Sequence, residues 1–275
     1  MLARKQENEY GADDGKERGI QVKEIQREHP KVTYIGHSGF SVETGEVVLL
    51  FDYYRGEIPS FPTDAKIYVF SSHRHQDHFN FDIFQLQERY DDVSYILSKD
   101  ITKKYKPKYL QSKRGLSAKC CEAITSLDAG ETYEDAHILV HAIPSTDIGV
   151  AFVVTDKAAG KVIYHAGDLN WWTWEGESAE EYAMMTRAFQ EDVACLKEYE
   201  IDIAFLPLDP RQGERFYLGF DYVMKRICIK KAYPMHCWDD FSVVDRLCQM
   251  ECAREYRDRV VRQEELLADK TNRRC

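Results

Sequence analysis

The stretch SSHRHQDHFN, Ser71 to Asn80, places His73, His75, Asp77 and His78 within six positions of a chain that has only nine histidines in 275 residues. It follows the apolar run KIYVFSS (66–72) and precedes the amphipathic FDIFQLQERY (81–90), so it reads as a loop between a strand and a helix, where sites are commonly built. Alternate residues of an extended segment project the same way. His73 and His75 can therefore face one metal ion, while Asp77 and His78, at the turn into the helix, face a point a few ångströms away. That spacing suits two metals side by side.

Composition bounds what surrounds this loop. With 44% apolar residues the chain can bury a sizeable core, and 47 acidic against 37 basic residues give a formal charge of −10, which disfavours a general nucleic-acid binder. The eight cysteines form no CxxC pair and no regular framework, as expected of reduced thiols in a cytoplasmic protein. No run reaches the roughly 18 apolar residues of a membrane span. Residues 1–28 are polar and read as a flexible lead-in, with a single domain expected over 29–275.

Outward from the histidine loop, short runs rich in β-branched and aromatic residues predict strands: VTYIG, VVLLFDYY, KIYVFSS, VSYILS, HILVHAIP, VAFVVTD, KVIYHAGD, IDIAFLP and KAYPMHC. Helical patterns occupy 81–90, 178–200 and 220–231. In the second of these, Tyr182, Met185, Phe189, Val193 and Leu196 recur every three or four residues. Meander-like strands followed by strands mixed with helices favour two packed sheets with outer helices over one parallel sheet. Residues 241–270 read as a continuous charge-laced helical tail, with Cys248 and Cys252 one turn apart and touching the core rather than a metal.

HRHQDH has the form HxHxDH and resembles the signature of the metallo-β-lactamase-fold hydrolases. Other landmarks of that family occur in order. GHSGFSVE (36–43) and VVLLFDYYRG (47–56) are similar to opening strands that end in an aspartate near the site, here Asp52; HAGDLN (165–170) resembles the strand end whose aspartate bridges both metals, here Asp168; YPMHCW (233–238) resembles the last strand, whose histidine is here His236. The resemblance spans residues 31–240. It implies an α+β class, four-layer αββα sandwich, with His73, His75, Asp168 and Asp147 on one metal and Asp77, His78, Asp168 and His236 on the other.

The pattern departs at one point. Relatives of this kind often read Pro-Ala-any-His before the next strand, whereas Pro144-Ser145-Thr146-Asp147 sets a carboxylate in the histidine's place. Asp147 can serve as an oxygen ligand, His141 can reach in from the preceding strand, or one metal can be lost. The expected cofactors are two divalent ions, with zinc foremost and manganese or iron as alternatives. His37 and His165 are expected beside the metals as orienting groups. Trp171, Trp172 and Trp174 suggest an aromatic pocket wall, and Arg211, Lys108 or Lys113 a contact for an anionic substrate group. Cys237 is expected to point away from the metals. The implied function is hydrolysis of a small ester, lactone, amide or phosphodiester by a metal-bridging hydroxide that Asp77 orients. A ribonuclease Z-like phosphodiesterase or nuclease, and a non-catalytic metal-binding or sensing protein, are the alternatives. The expected partner is a small-molecule substrate rather than nucleic acid or membrane.

Overall fold

A computed structural model describes residues 30–272; the polar lead-in 1–28 lies outside the described residues. Two six-stranded sheets form the centre. The first comprises β1 (Lys31–Gly36), β2 (Gly39–Glu43), β3 (Val47–Phe51), β4 (Lys66–Ser71), β5 (Val93–Ser98) and β6 (Ile124–Leu127), adjacent in chain order. The β1–β2 and β2–β3 pairs are antiparallel, and β3 to β6 run parallel. The second comprises β7 (Thr132–Glu134), β8 (Ile138–Pro144), β9 (Val150–Asp156), β10 (Lys161–His165), β11 (Glu200–Pro207) and β12 (Cys228–Met235), antiparallel from β7 to β10 and parallel from β10 to β12. All nine runs read as strands are strands. β2 is the GFSVE part of the stretch that the family resemblance placed among the opening strands; β6 and β7 are additional, short and partly exposed, with little apolar alternation to announce them.

Strand periodicity sorts the core into layers. On β3, Val47, Leu49 and Phe51 face the interior between the sheets, while Val48 and Leu50 face outward with Ile67 and Val69 of β4. The outward face is covered by α1 (Leu86–Arg89), α2 (Lys99–Lys104), α3 (Pro107–Arg114) and α4 (Ala118–Glu122), which contribute Leu86, Ile101, Leu110 and Cys120. The second sheet is covered by α5 (Ala179–Ala194), α6 (Leu218–Arg226) and α7 (Ser242–Gln249) through Phe189, Val193, Phe220, Val223 and Leu247. These four layers are the expected αββα sandwich. Ser178 and Glu181 close a capping box on α5. Between the sheets, Phe40 meets Phe205 at 4.4 Å and Phe51 stacks on Phe70 at 4.7 Å. Each fully buried phenylalanine contributes about 1.5–3 kcal/mol of burial free energy, which makes this layer rigid support for whatever its edge carries.

Two helical readings are corrected. The helix over 220–231 stops at Arg226, and Cys228 to Lys231 open β12, where the period changes from three or four to two: Cys228 and Lys230 are exposed, Ile229 is buried against β11. The tail over 241–270 is not one helix. α7 ends at Gln249, Met250 is extended, two short 3₁₀ turns follow, and α8 (Gln263–Asn272) begins afresh. Val260 and Val261 explain the break: both are buried, and Val261 N–H donates to Ala232 O at 2.9 Å, so apolar burial and sheet pairing override helix propensity. Cys248 is buried on α7, and Cys252 lies beyond the break.

The carboxyl ends of β1, β3, β4, β8, β10, β11 and β12 deliver His37, Asp52, His73 to His78, Asp147, Asp168, Asp209 and His236, respectively. Close packing there depends on Gly149, at φ +78°, where an added Cβ would lie 2.0 Å from Ser72 O and 2.5 Å from His73 Cβ. Gly115 has a similar φ of +71° with nothing within 4 Å. Gly115→Ala should therefore cost only the conformational penalty of about 1 kcal/mol, and Gly149→Ala at least about 2 kcal/mol more, read from urea unfolding; equal losses would show that the loop yields without steric cost.

Candidate metal centre

Three histidines of the site are fixed through their Nδ1 atoms. Asp52, fully buried at the end of β3, accepts from Ser72 N–H at 2.7 Å, from Ser72 Oγ–H at 2.6 Å and from His78 Nδ1–H at 2.7 Å. Because the Ser72 hydroxyl proton is given to Asp52, its oxygen accepts from His73 Nδ1–H at 3.0 Å. His236 Nδ1–H donates to Asp209 Oδ2 at 2.9 Å. A carboxylate can only accept, so each of these imidazoles is held through Nδ1 and turns its Nε2, the atom that can ligate a metal, toward the centre. Asp209 itself is held by Arg211, with Nε at 3.0 Å and Nη2 at 2.5 Å, and by Trp238 Nε1–H at 3.3 Å.

The Nε2 atoms converge on Asp168. Its Oδ1 is 3.1 Å from His78 Nε2 and 3.4 Å from His236 Nε2, while Oδ2 is 3.4 Å from His73 Nε2. The donors fall into two groups, each with ligand atoms within 4.8 Å of one another: His73, His75, Asp147 and Asp168, and His37, Asp77, His78 and His236. In the first, His73 Nε2 and His75 Nδ1 are 3.0 Å apart and Asp147 Oδ2 is 3.7 Å from His75 Nδ1. In the second, Asp77 Oδ2 lies 3.4 Å from His37, 4.0 Å from His78 and 3.9 Å from His236. Among the described residues, His37 Nε2, His78 Nε2 and Asp168 Oδ1 are buried with no hydrogen-bond partner. Buried polar atoms gathered without hydrogen-bond partners are costly unless a cation lies between them, so the residues fit a pair of metal ions.

The electrostatics agree. Burial pushes His73 down to about 4, and the neighbouring His78 charge adds to this, so the ring is a free base at neutral pH. Burial opposes ionisation of Asp168 and Asp77, but the surrounding imidazoles outweigh it and hold both carboxyls well below the usual range. His78 goes the other way: burial disfavours its charge, yet Asp168 and Asp52 raise it well above the ordinary value. Asp147 is raised by burial and by Asp168. A cavity with this many ionised carboxylates calls for positive charge.

All seven residues expected as ligands are thus brought together. His141 is not among them; it faces Tyr199 from β8 at 5.9 Å. His165 has no lone pair to offer, since Gly167 N–H donates to its Nδ1 and its Nε2–H donates to Ser38 O at 2.9 Å. Of the tryptophans, Trp172 and Trp174 stack at 6.1 Å beside the site, whereas Trp171 turns into the core against Phe189. The fourth, Trp238, flanks His236 instead and carries Arg211 over its ring at 4.4 Å. Lys108 and Lys113 are exposed on α3 and line no part of the site, and Cys237 is buried with Sγ toward Met235 O. Asp209 went unrecognised in the sequence; the Asp-Pro pair after an apolar strand is the only signal it leaves. A cavity of about 390 Å³ opens over the donors, lined by Thr146, Trp172, Trp174, Met185 and Arg211. A more apolar cavity of about 230 Å³ beneath α2 and α3 contains none of these donors.

Residues 31–180, more than half of the chain, match the model of a Beta-lactamase superfamily domain. A "UPF0173 metal-dependent hydrolase" of Alkaliphilus metalliredigens (strain QYMF) is 28% identical over 232 residues, covering 78% of this chain and 87% of that protein. Among solved structures, Igni18, a metallo hydrolase from the hyperthermophilic archaeon Ignicoccus hospitalis, is similar at a TM-score of 0.54 and 17% identity, covering 85% of this chain and 94% of its own. A Parabacteroides distasonis protein is similar at a TM-score of 0.57 and 18% identity, covering 86% and 93%. At these identities the likeness of the two structures is one of fold. No described helix is long and apolar enough to cross a membrane. The chain belongs to the β-lactamase superfamily, and its four-layer fold is of the metallo-β-lactamase type.

Proposed function

We propose that the chain is a dinuclear hydrolase that cleaves a small ester, lactone, amide or phosphodiester. The observation that carries this reading is Asp168, whose two oxygens face different donor groups, Oδ1 toward His78 and His236 and Oδ2 toward His73. A single-ion site has no use for a carboxylate divided in this way. When bound, two divalent ions supply there an activated water and a Lewis acid for the scissile oxygen. Two imidazoles and two carboxylates on the first site, one of them Asp147, accept zinc and equally manganese or iron.

The chain's own residues supply the rest. Asp77 stays ionised and accepts a hydrogen bond from the attacking water, which it orients. Trp172 donates from Nε1 to Asp168 O at 2.9 Å, so the wall of the cavity also steadies the bridging residue. Thr146 Oγ1 donates to Asn170 O at 2.6 Å and binds the Asp147 loop to the Asp168 turn. The cavity volume lies at the low end of the roughly 300–1,000 Å³ of small-molecule pockets. Its lining has one cation, Arg211, against Asp77, Asp147 and Asp168, which suits a small substrate better than a long polyanion. The free thiols of the described cysteines go with a reducing, cytoplasmic setting.

Metal analysis of the purified, zinc-reconstituted chain should give about two equivalents, falling to about one in Asp147→Ala; one or none in the parent chain would remove the dinuclear reading. A panel of lactone, β-lactam, thioester and bis-4-nitrophenyl phosphate substrates should show turnover with at least one class. On that substrate Asp77→Asn should lower kcat by about 10²–10⁴-fold. A fully metallated chain inert toward every class would favour metal sensing instead.

A further inference from the structure

His37 lies outside the HxHxDH loop and outside every strand end expected to carry a ligand. We infer that His37 is itself a ligand of the second metal ion, which gives that site three imidazoles (His37, His78 and His236, with Asp77 and Asp168 Oδ1 beside them) against two in the first, where His73 and His75 are matched by Asp147 and Asp168. The inference rests on the two-metal reading above and goes beyond it in assigning this residue and the asymmetry that follows.

Three independent features point the same way. The side chain is buried, with 4% of the residue exposed, and its Nε2 has no hydrogen-bond partner. That atom is 3.4 Å from Asp77 Oδ2 and belongs to the cluster whose donors all lie within 4.8 Å of one another. Donors about 2.1 Å from a shared ion stand about 3.0–3.5 Å apart when adjacent, and the contacts of His37 with Asp77, and of Asp168 with His78 and His236, fall within or beside that range.

The backbone is also arranged to aim the ring. His37 occupies the β1–β2 turn at φ 55°, a conformation that glycine or asparagine would adopt at less cost. It is held there by its N–H, which donates to Tyr34 Oη at 2.8 Å, and by its carbonyl, which accepts from His236 N–H at 3.4 Å. The two rings consequently lie 4.3 Å apart, and His37 and His236 reach the centre from opposite sheets as a linked pair. A residue needed only to shape the turn would not be a buried imidazole with an unpartnered Nε2 aimed at Asp77.

The asymmetry has a consequence for occupancy. The second site is the more enclosed, with side-chain exposures of 3% for His37, 0% for His78, 2% for His236 and 24% for Asp77, whereas in the first His75 at 48% and Asp147 at 39% stand beside the buried His73 and Asp168. Imidazole-rich, water-excluded sites hold zinc more tightly than carboxylate-rich exposed ones. The His37 site is therefore the one that retains its ion under chelator competition.

The test is His37→Asn, which keeps a residue tolerant of positive φ but is too short to reach the ion. In zinc-reconstituted chain titrated with a chelator and read by elemental analysis, the more tightly held equivalent should weaken by about 10–100-fold, with the other unchanged and far-ultraviolet circular dichroism unaltered. Two equivalents held at parent affinity would overturn the assignment. Should the variant not fold, ¹⁵N-histidine NMR of the zinc-loaded parent decides the matter: an unprotonated, metal-shifted Nε2 at His37 supports it, and an N–H there overturns it. If the parent holds only one ion, the dinuclear reading fails, while the NMR signal still reports whether that ion touches His37. Failure to bind any zinc overturns both.

Discussion

The site depends first on one buried anion. Asp52 has no exposure, yet it is ionised and takes three hydrogen bonds, from Ser72 N–H, Ser72 Oγ–H and His78 Nδ1–H. An isolated carboxylate at that depth would cost several kcal/mol, so it is tolerable only with every partner in place. Through those partners it sets the ring of His78 directly and that of His73 by way of the serine hydroxyl. His165 stacks on Phe51 at 5.0 Å with its Nδ1 3.7 Å from the same carboxylate, so the aromatic layer between the sheets extends to the donors without a break. The rigidity of the centre is the packing of the core carried outward.

The second sheet repeats the device. Asp209 also has no exposure and does for His236 what Asp52 does for His78, with Arg211 and Trp238 supplying the remaining donors. The two halves meet at Asp168. Burial would keep most of these carboxyls neutral; the cluster of imidazoles lets them ionise, and the imidazoles in turn point their Nε2 atoms inward. Neither group is stable in that arrangement alone, which is why the geometry implies a cation. Backbone strain concentrates in the same place: of the five non-glycine residues at positive φ among the described residues, His37, Asp52 and His236 belong to the centre. Conformations that cost about 1–3 kcal/mol each persist where the surroundings over-determine them.

What could be read from the sequence follows from how far apart the cooperating residues lie. His73 to His78 are neighbours in the chain, so their spacing alone carried the chemistry, and the strands that position them alternate clearly enough to be recognised. Asp168, Asp147 and His236 needed an ordered series of landmarks, because a lone aspartate after a glycine or a histidine at a strand end has many commoner uses. Asp209 was beyond reach because its role arises from a contact over 27 residues to His236, and His37 could be placed near the metals only as an orienting group, because its approach to Asp77 at 3.4 Å is a contact between distant loops that no local pattern encodes. The opposite error occurred at 241–270, where a charge-laced helical pattern hid Val260 and Val261, whose burial beside β12 interrupts it.

The unequal exposure of the two donor groups also says where chemistry must enter. Asp52 and Asp209 lock His78 and His236 from behind, whereas His75 and Asp147 open onto the cavity that Trp172, Trp174, Met185 and Arg211 enclose. Asp77 and His236 of the second donor group also line that cavity, so both groups are reached through one mouth, with His75 and Asp147 the more exposed. The loop that carries Asp147 is tied to the Asp168 turn through Thr146, whose hydroxyl donates to Asn170 O. Replacing a histidine by an aspartate at that point removes the need for a partner to fix a tautomer, since either carboxylate oxygen can serve. The chain thus keeps its rigid ligands where the core supports them and places its most adaptable ligand at the door.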